Sequence, residues 1–296
     1  MQTVGQIHPL RDSLAELREK SGAGAKVALV PTMGALHDGH LSLVRRAGEL
    51  ADVVVASIFV NPRQFGAGED LDAYPRQLAA DKARLDGEGV DLLWAPDGAA
   101  MYPDGYATNV SVAGVSEGLC GGNRPGHFDG VATVVLKLFN QVRPDIAIFG
   151  EKDWQQLAVI RRMARDLDLS APHYENIVGG AIVREADGLA MSSRNAYLSD
   201  DQRSAAAALP RAMRAAIARM NDRVCASEAL ETLKSDLVQA GFDSIDYAEV
   251  RDSETIALQD EVSDNSRLFV AARIGNTRLI DNMAVRQSVD GPAGSG

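Results

Sequence analysis

A doubly wound parallel α/β sheet followed by a smaller α+β unit is the architecture this 296-residue sequence predicts, and three observations carry it. Apolar runs too continuous for a half-exposed strand alternate with stretches of helical spacing through the first 150 or so residues. From about residue 199 the order changes to helix, helix, strand, strand, strand. The chain is also longer than one hydrophobic core usually fills, so it divides.

In chain order, "KVALVP" (26–31), "VVVASIFV" (53–60), "DLLWAP" (91–96) and "DIAIFG" (145–150) read as buried parallel strands, because they are rich in β-branched residues and lack polar alternation. "LSLVRRAGEL" (41–50), "LAADKARLDGEG" (78–89) and "FDGVATVVLKLFNQV" (128–142) have the length and spacing of crossover helices, the last stopped by "RPD". A further helix, "DWQQLAVIRRMARDL" (153–167), leads into a looser segment where Pro172 and Gly179–Gly180 are expected to break regular structure before a short strand. An alanine-rich helix (200–220), a helix at 226–240 and strands "SIDYAEVRD" (244–252), "RLFVAARIG" (267–275) and "TRLIDNMAV" (277–285) complete the chain. The reading is a Rossmann-like domain over 1–184, an α+β domain over 185–285 and a disordered tail at 286–296.

The formal charge of -11, from 30 basic and 41 acidic residues, repels phosphate backbones and anionic lipid, which argues against nucleic-acid and membrane partners. An anionic ligand must then be held by a few well-placed cations. Cys120 and Cys225, the only cysteines, show no metal or disulfide spacing and suit a reducing compartment. With no signal-like start and no apolar run of about 18 residues, a cytoplasmic protein is expected.

Ligands of open α/β sheets sit at the carboxyl ends of the strands, and "VPTMGALHDGH" (30–40) occupies such a corner. Gly34 allows a tight turn, and Gly39 lets a phosphate approach the backbone as the next helix begins. His37 and His40, three apart, can face one side and donate ring N–H groups to phosphate oxygens. A metal site lacks accompanying cysteines or a carboxylate triad. "NPRQFG" (61–66) offers Asn61 and Gln64 as neutral partners for a small polar substrate. "GEKDWQQ" (150–156) places Lys152 at a helix N-terminus with Gln156 one turn on, and "MSSRN" (191–195) adds two hydroxyls and a guanidinium. Each cluster also has an ordinary reading: amides satisfying a turn, Lys152 paired with Glu151 or Asp153, a serine N-cap. Their shared place at one sheet edge favours a site.

Together "PTMGALHDGH", "SIFVNPRQF", "YPR", "RPGHFDGV", "FGEKDWQQL" and "READGLAMSSRNAYL" resemble the pantoate–β-alanine ligase (pantothenate synthetase) family. The likeness runs from about residue 26 to 200 and continues more weakly through "VAARIGNTRLIDN" (270–282). It implies ATP-dependent condensation of (R)-pantoate with β-alanine through a pantoyl-adenylate, releasing AMP and pyrophosphate, with Mg²⁺ accompanying ATP and a homodimer as the usual assembly. It also implies that Met33, Gly34, Ala35, Leu36, His37, Asp38, Gly39 and His40 form the ATP-binding turn, with His40 as proton donor and His37 as its partner. Gly150, Glu151, Lys152, Asp153, Met191, Ser192, Ser193 and Arg194 would bind nucleotide, with Val183 against adenine. Lys152 and Arg194 join the two histidines as the catalytic set. Gln64 and Gln156 would hold pantoate, with Asn61, Arg124 and His127 in further substrate positions.

Two departures stand out. Arg63 replaces a residue that is commonly Met and puts a cation beside the expected pantoate pocket, and the 172–180 loop is a few residues long for the family. Of the acidic residues that follow "YPR" in relatives only some remain, leaving Asp81 as the metal candidate. Alternatives are another H-x-G-H nucleotidyltransferase, which would need a phosphorylated acceptor, and a catalytically silent nucleotide-binding module, which would bind ATP without turnover. An aminoacyl-tRNA synthetase is disfavoured by the acidic surface. The second domain is expected to act as a lid that shields the acyl-adenylate from water.

Overall fold

The computed structural model describes residues 1–286, and the chain forms two compact units. The first comprises Met1–Val183 with Met191–Ser193, the second Arg184–Ala190 with the chain from Arg194 onward. Residues 287–296 of the expected tail lie outside the described residues.

In the first unit β1 (Gln2–Val4), β2 (Val27–Thr32), β3 (Val53–Ile58), β4 (Leu92–Trp94), β5 (Ile146–Gly150) and β6 (Ile177–Gly180) form one sheet in the order β1-β4-β3-β2-β5-β6. Every pairing is parallel. Helices α1 (Ile7–Ser21), α2 (Asp38–Leu50), α3 (Leu78–Gly87), α4 (Gly98–Met101), α5 (Leu119–Asn123), α6 (His127–Val142) and α7 (Trp154–Asp166) complete it. Val27–Val30 and Val53–Ala56 are buried throughout, as continuous apolar strands must be when helices cover both faces. On one face Leu43, Val44 and Ala47 of α2 and Leu85 of α3 join Ala28, Val30, Val54 and Ile148 in a single core.

The strand order places the site. From β2 the chain steps outward through β3 to β4, then returns to β5 on the other side of β2 and continues to β6. The order therefore reverses between β2 and β5, and the crevice outside their carboxyl ends is where an open sheet receives a ligand. The segments after Thr32 and after Gly150 border it.

Two sequence expectations need correction here, and two elements were not anticipated. β1 and α1 carry too few apolar residues to announce themselves; α1 buries only Leu10, Ser13 and Leu14. Gly179–Gly180 do not break structure but lie within β6, paired with Phe149 and Gly150. Side chains are crowded there, since a Cβ on Gly179 would stand 2.8 Å from Glu151 Oε1 and one on Gly180 would force the Leu43 side chain to shift. The expected helix 200–220 is two helices, α8 (Asp200–Ala206) and α9 (Ala208–Asn221). Pro210 has no N–H for the Ala206 carbonyl and its ring crowds that carbonyl, so the ladder stops there.

The second unit stacks α8, α9 and α10 (Ala226–Gln239) with an antiparallel sheet of β7 (Ser244–Asp252), β8 (Ser266–Ile274) and β9 (Thr277–Ala284), in that order. Leu209, Met213, Leu233 and Leu237 of the helices meet Val250, Leu268 and Val270 of the sheet. Within this unit Arg184 holds the buried Asp281 carboxylate in a two-pronged pair at 2.7 and 3.0 Å. Arg203 bridges Glu185 and Asp187, each at 2.6 Å.

Candidate active site

The turn from Met33 to Leu36 leaves β2 and is braced from α3. Gly34 has φ 83° and Ala35 φ 51°, a region that costs an alanine about 1–2 kcal/mol. The Asp81 carboxylate, 1% exposed, accepts both following amides, from Ala35 and Leu36, at 2.9 Å each. Arg84, one helical turn on, donates to the Leu36 carbonyl at 2.6 Å, and Ser193 Oγ donates to the Ala35 carbonyl at 3.0 Å. Asp81, the expected metal candidate, thus braces this turn, with both carboxylate oxygens facing backbone N–H donors in a dry site. No group of three or more His, Cys, Asp or Glu among the described residues is placed to hold a metal.

His37 caps α2. Its Nδ1 accepts from Gly39 N–H at 3.2 Å, while its own N–H donates to His40 Nδ1 at 3.3 Å. Two backbone donors therefore fix both tautomers, so each neutral ring carries its proton on Nε2. The rings lie 4.1 Å apart between centroids. Burial, assisted by the Lys152 charge, lowers His37 from 6.5 to about 4. Burial and the neighbouring His37 lower His40 to about 3. Both rings are neutral N–H donors at physiological pH. Lys152 and Asp153, in the turn after β5, act electrostatically on both rings, so this segment shares the corner with the imidazoles. Lys152 Nζ lies 4.0 Å from Asp153 Oδ2. Met191 approaches Gly39 and takes the Val183 carbonyl through its N–H at 3.0 Å.

The neutral side of the site is built on the turn Pro62–Gln64 after β3. Gln64 Nε2 lies 3.0 Å from Met33 Sδ, which joins this turn to the Met33–His40 corner. Asn61 is 1% exposed and its amide is fully used: Nδ2 donates to Gln64 Oε1 and to the Gly130 carbonyl, both at 3.1 Å, while Oδ1 accepts from Arg63 N–H at 3.3 Å and Tyr102 O–H at 2.9 Å. His127 Nδ1 donates to the Gln64 carbonyl at 2.8 Å, and its Nε2 accepts from Arg124 at 3.0 Å. Arg124 also reaches that carbonyl at 3.2 Å and grips Glu69 with two bonds of 2.7 and 2.6 Å. Burial, then the Arg124 charge, lowers His127 to about 4. Burial opposes ionisation of Glu69, yet Arg124 brings it down to about 2. Asn61, Arg124 and His127, expected at the substrate, each make a hydrogen bond to Gln64.

Gln156, in the first turn of α7, is half-buried and its amide makes no hydrogen bond among the described residues. Its neighbour Gln155 is the structural one, tying the 115–120 loop through Cys120 N–H and three carbonyls. Glu151 lies toward Gly179 of β6, and Asp38 is exposed in the first turn of α2. Arg194 belongs to the second unit. Arg63 does not load the pocket with charge: its guanidinium sits 5.5 Å from the centroids of both Tyr102 and Tyr106 and donates to Asn109 at 3.0 Å.

The reading by residue type missed Arg84, Glu69, Tyr102 and Gly130. Only Gly130 carried a signal, being a glycine inside an otherwise helical pattern. A Cβ there would collide with the Arg63 carbonyl and stand 2.7 Å from Gln64 N.

The Pantoate-beta-alanine ligase family matches residues 2–284. The chain is 60% identical over 289 residues to the pantothenate synthetase of Novosphingobium aromaticivorans, covering 96% of this chain and 99% of that one. It is 56% identical over 285 residues to that of Sphingopyxis alaskensis, covering 96% and 100%. Its fold is similar to the crystal structure of pantothenate synthetase from Thermus thermophilus, with TM-score 0.89, 45% identity and coverage of 97% and 100%. It is also similar to a pantoate-beta-alanine ligase from Francisella tularensis complexed with beta-gamma ATP and beta-alanine, with TM-score 0.79, 32% identity and coverage of 96% and 98%.

Proposed function

The chain belongs to the pantoate–β-alanine ligase family, and from that premise we propose how this site performs the reaction. The protein is a ligase that uses ATP to join pantoate and β-alanine through an amide bond. The route is a pantoyl-adenylate. A pantoate carboxylate oxygen attacks the α-phosphorus, the bond to pyrophosphate breaks and pyrophosphate leaves with the electron pair. The uncharged amine of β-alanine then attacks the acyl carbon, AMP departs from that carbon, and the nitrogen loses a proton. Nothing in either step needs a protein nucleophile, so positioning and charge stabilisation are what the fold supplies.

The observation that carries this reading is the convergence, at the β2/β5 switch point, of two Nε2–H imidazoles, a lysine and an amide 3.0 Å from the nucleotide turn. Nucleotide is assigned to Met33–His40, Gly150–Asp153, Val183 and Met191–Arg194, and pantoate to Gln64 and Gln156. His40 serves the phosphates as a neutral hydrogen-bond donor, because burial lowers it to about 3 and leaves the ring uncharged at physiological pH. Lys152 provides the cation. Magnesium belongs to this reading as the counter-ion that ATP brings on its phosphates. A homodimer is inferred from the family resemblance alone. A cytoplasmic location agrees with two cysteines that show no disulfide spacing, and among the described residues no helix is long and apolar enough to cross a membrane.

With ATP, pantoate and β-alanine the protein releases AMP and pyrophosphate in equal amounts with pantothenate; ADP as the nucleotide product overturns the adenylate route. His40→Ala keeps the fold and lowers the rate of adenylate formation about 10²–10³-fold, the cost of one preorganised donor. A variant at full speed removes His40 from the mechanism.

A further inference from the structure

We propose that Asn61, oriented by the Gly130 carbonyl and the Arg63 N–H and supported by the Tyr102 hydroxyl, fixes which end of the Gln64 amide faces the acid substrate, so that Gln64 works only as an N–H donor. The inference rests on the assignment of pantoate to Gln64. Asn61 cannot turn over. The Gly130 carbonyl can only accept and the Arg63 N–H can only donate, so a flipped Asn61 would set N–H against N–H and oxygen against oxygen. The Tyr102 hydroxyl is the shortest bond to Asn61 Oδ1, at 2.9 Å. Burial raises its ionisation to about 12, which keeps the donor in place across the physiological range. With Asn61 so fixed, Nδ2 meets Gln64 Oε1 at 3.1 Å, and the Gln64 oxygen is committed inward. What remains on the side of Met33 is Nε2.

The chain of hydrogen bonds thus runs one way, from the tyrosine hydroxyl through two amides to the substrate. The substrate atom it reads is an oxygen lone pair, in a carboxylate or in a hydroxyl acting as acceptor. Where that atom is the hydroxyl, a positively charged ammonium in its place has no lone pair and is rejected, so the turn then selects a hydroxy acid over its amino counterpart. Tyr102 and Asn61 are positioning residues for that selection. The His127–Arg124–Glu69 arm holds only the Gln64 backbone carbonyl and leaves the amide's polarity to Asn61.

The test is steady-state kinetics with each substrate varied in turn. Tyr102→Phe keeps the ring and removes the donor; we expect the pantoate KM to rise about three- to tenfold, the loss of roughly one buried hydrogen bond, with kcat within about twofold and the ATP and β-alanine KM values unchanged. Asn61→Asp cannot donate to Gln64 Oε1, so Gln64 turns to present its oxygen and the pantoate KM rises further than in Tyr102→Phe. Gln64→Ala is the reference. If Gln64→Ala raises the pantoate KM while Tyr102→Phe and a folded Asn61→Asp both leave it at the wild-type value, the lock is wrong and the pantoate assignment stands. Should Gln64→Ala leave it unchanged, the assignment falls and this proposal with it. A Tyr102→Phe variant that changes all three KM values and its melting temperature together would show a merely structural role and overturn the proposal.

Discussion

Replacing Asp81 with Asn tests whether the nucleotide turn is held by α3 or whether that carboxylate serves a metal. In the folded protein the two Asp81 oxygens accept from Ala35 and Leu36 at 2.9 Å. Bonds to a charged acceptor contribute about 1.5–3 kcal/mol each, against about 0.5–1.5 for neutral ones. Asparagine keeps one oxygen, so one bond weakens by about 1 kcal/mol, and the other N–H faces an NH₂ group at a desolvation cost of about 1–3 kcal/mol. The sum is about 2–4 kcal/mol, more than the 1–2 kcal/mol or so that the left-handed Ala35 stores. The turn should relax from the geometry that receives phosphate. We expect the ATP KM to rise at least about tenfold, the equivalent of 1.4 kcal/mol, and the melting temperature to fall by roughly 5–10 °C. Initial rates of pyrophosphate release over a grid of ATP and Mg²⁺ concentrations, with a thermal melt, measure both. Wild-type values of ATP KM and melting temperature would refute the brace. A defect repaired by excess Mg²⁺ would show that the carboxylate holds the metal after all.

The three histidines of the site predict how stability depends on pH. His37, His40 and His127 are lowered from 6.5 to about 4, 3 and 4, so between pH 6.5 and about 4 the unfolded chain binds more protons than the folded one. Their neutral burial is fully stabilising above 6.5 and loses ground as pH falls through that window; at about pH 5 the slope of unfolding free energy should approach three protons from these groups, and a flat profile between pH 7 and 5 would contradict the burial argument. Glu69, lowered from 4.5 to about 2, adds acid sensitivity below 4.5. Because both N-terminal α2 imidazoles stay neutral, single-turnover adenylation should show no limb near 6.5. Gly130→Ala gains about 0.5–1 kcal/mol of helix propensity but drives a Cβ into the Arg63 carbonyl, an overpacking cost of about 1–3 kcal/mol; urea unfolding should show net destabilisation with a raised pantoate KM, and a stabilised variant would mean that α6 and the Pro62–Gln64 turn are further apart than described.

What the sequence determined by itself is whatever chain-local chemistry can encode. Continuous β-branched runs at 26–31 and 53–60 specify buried parallel strands, and the glycine-flanked histidines specify a turn that opens a helix. The corner they share followed from strand ends alone, and the ordered motifs pointed to the family that the comparisons then showed. Elements with weak local signals were illegible: β1 has three residues, and the two glycines of β6 look like a break until Leu43 and Glu151 are seen to crowd any side chain there. Only tertiary structure decided which polar residues present themselves to a ligand and which hold the others in place. Asp81, Asn61, Arg124 and His127 were expected as ligands, yet their hydrogen-bond partners lie 2 to 69 positions away in sequence. A side chain's composition fixes how many bonds it can make. Where those bonds go depends on which backbone groups the fold leaves unsatisfied beside it, and that is settled by contacts no local pattern records.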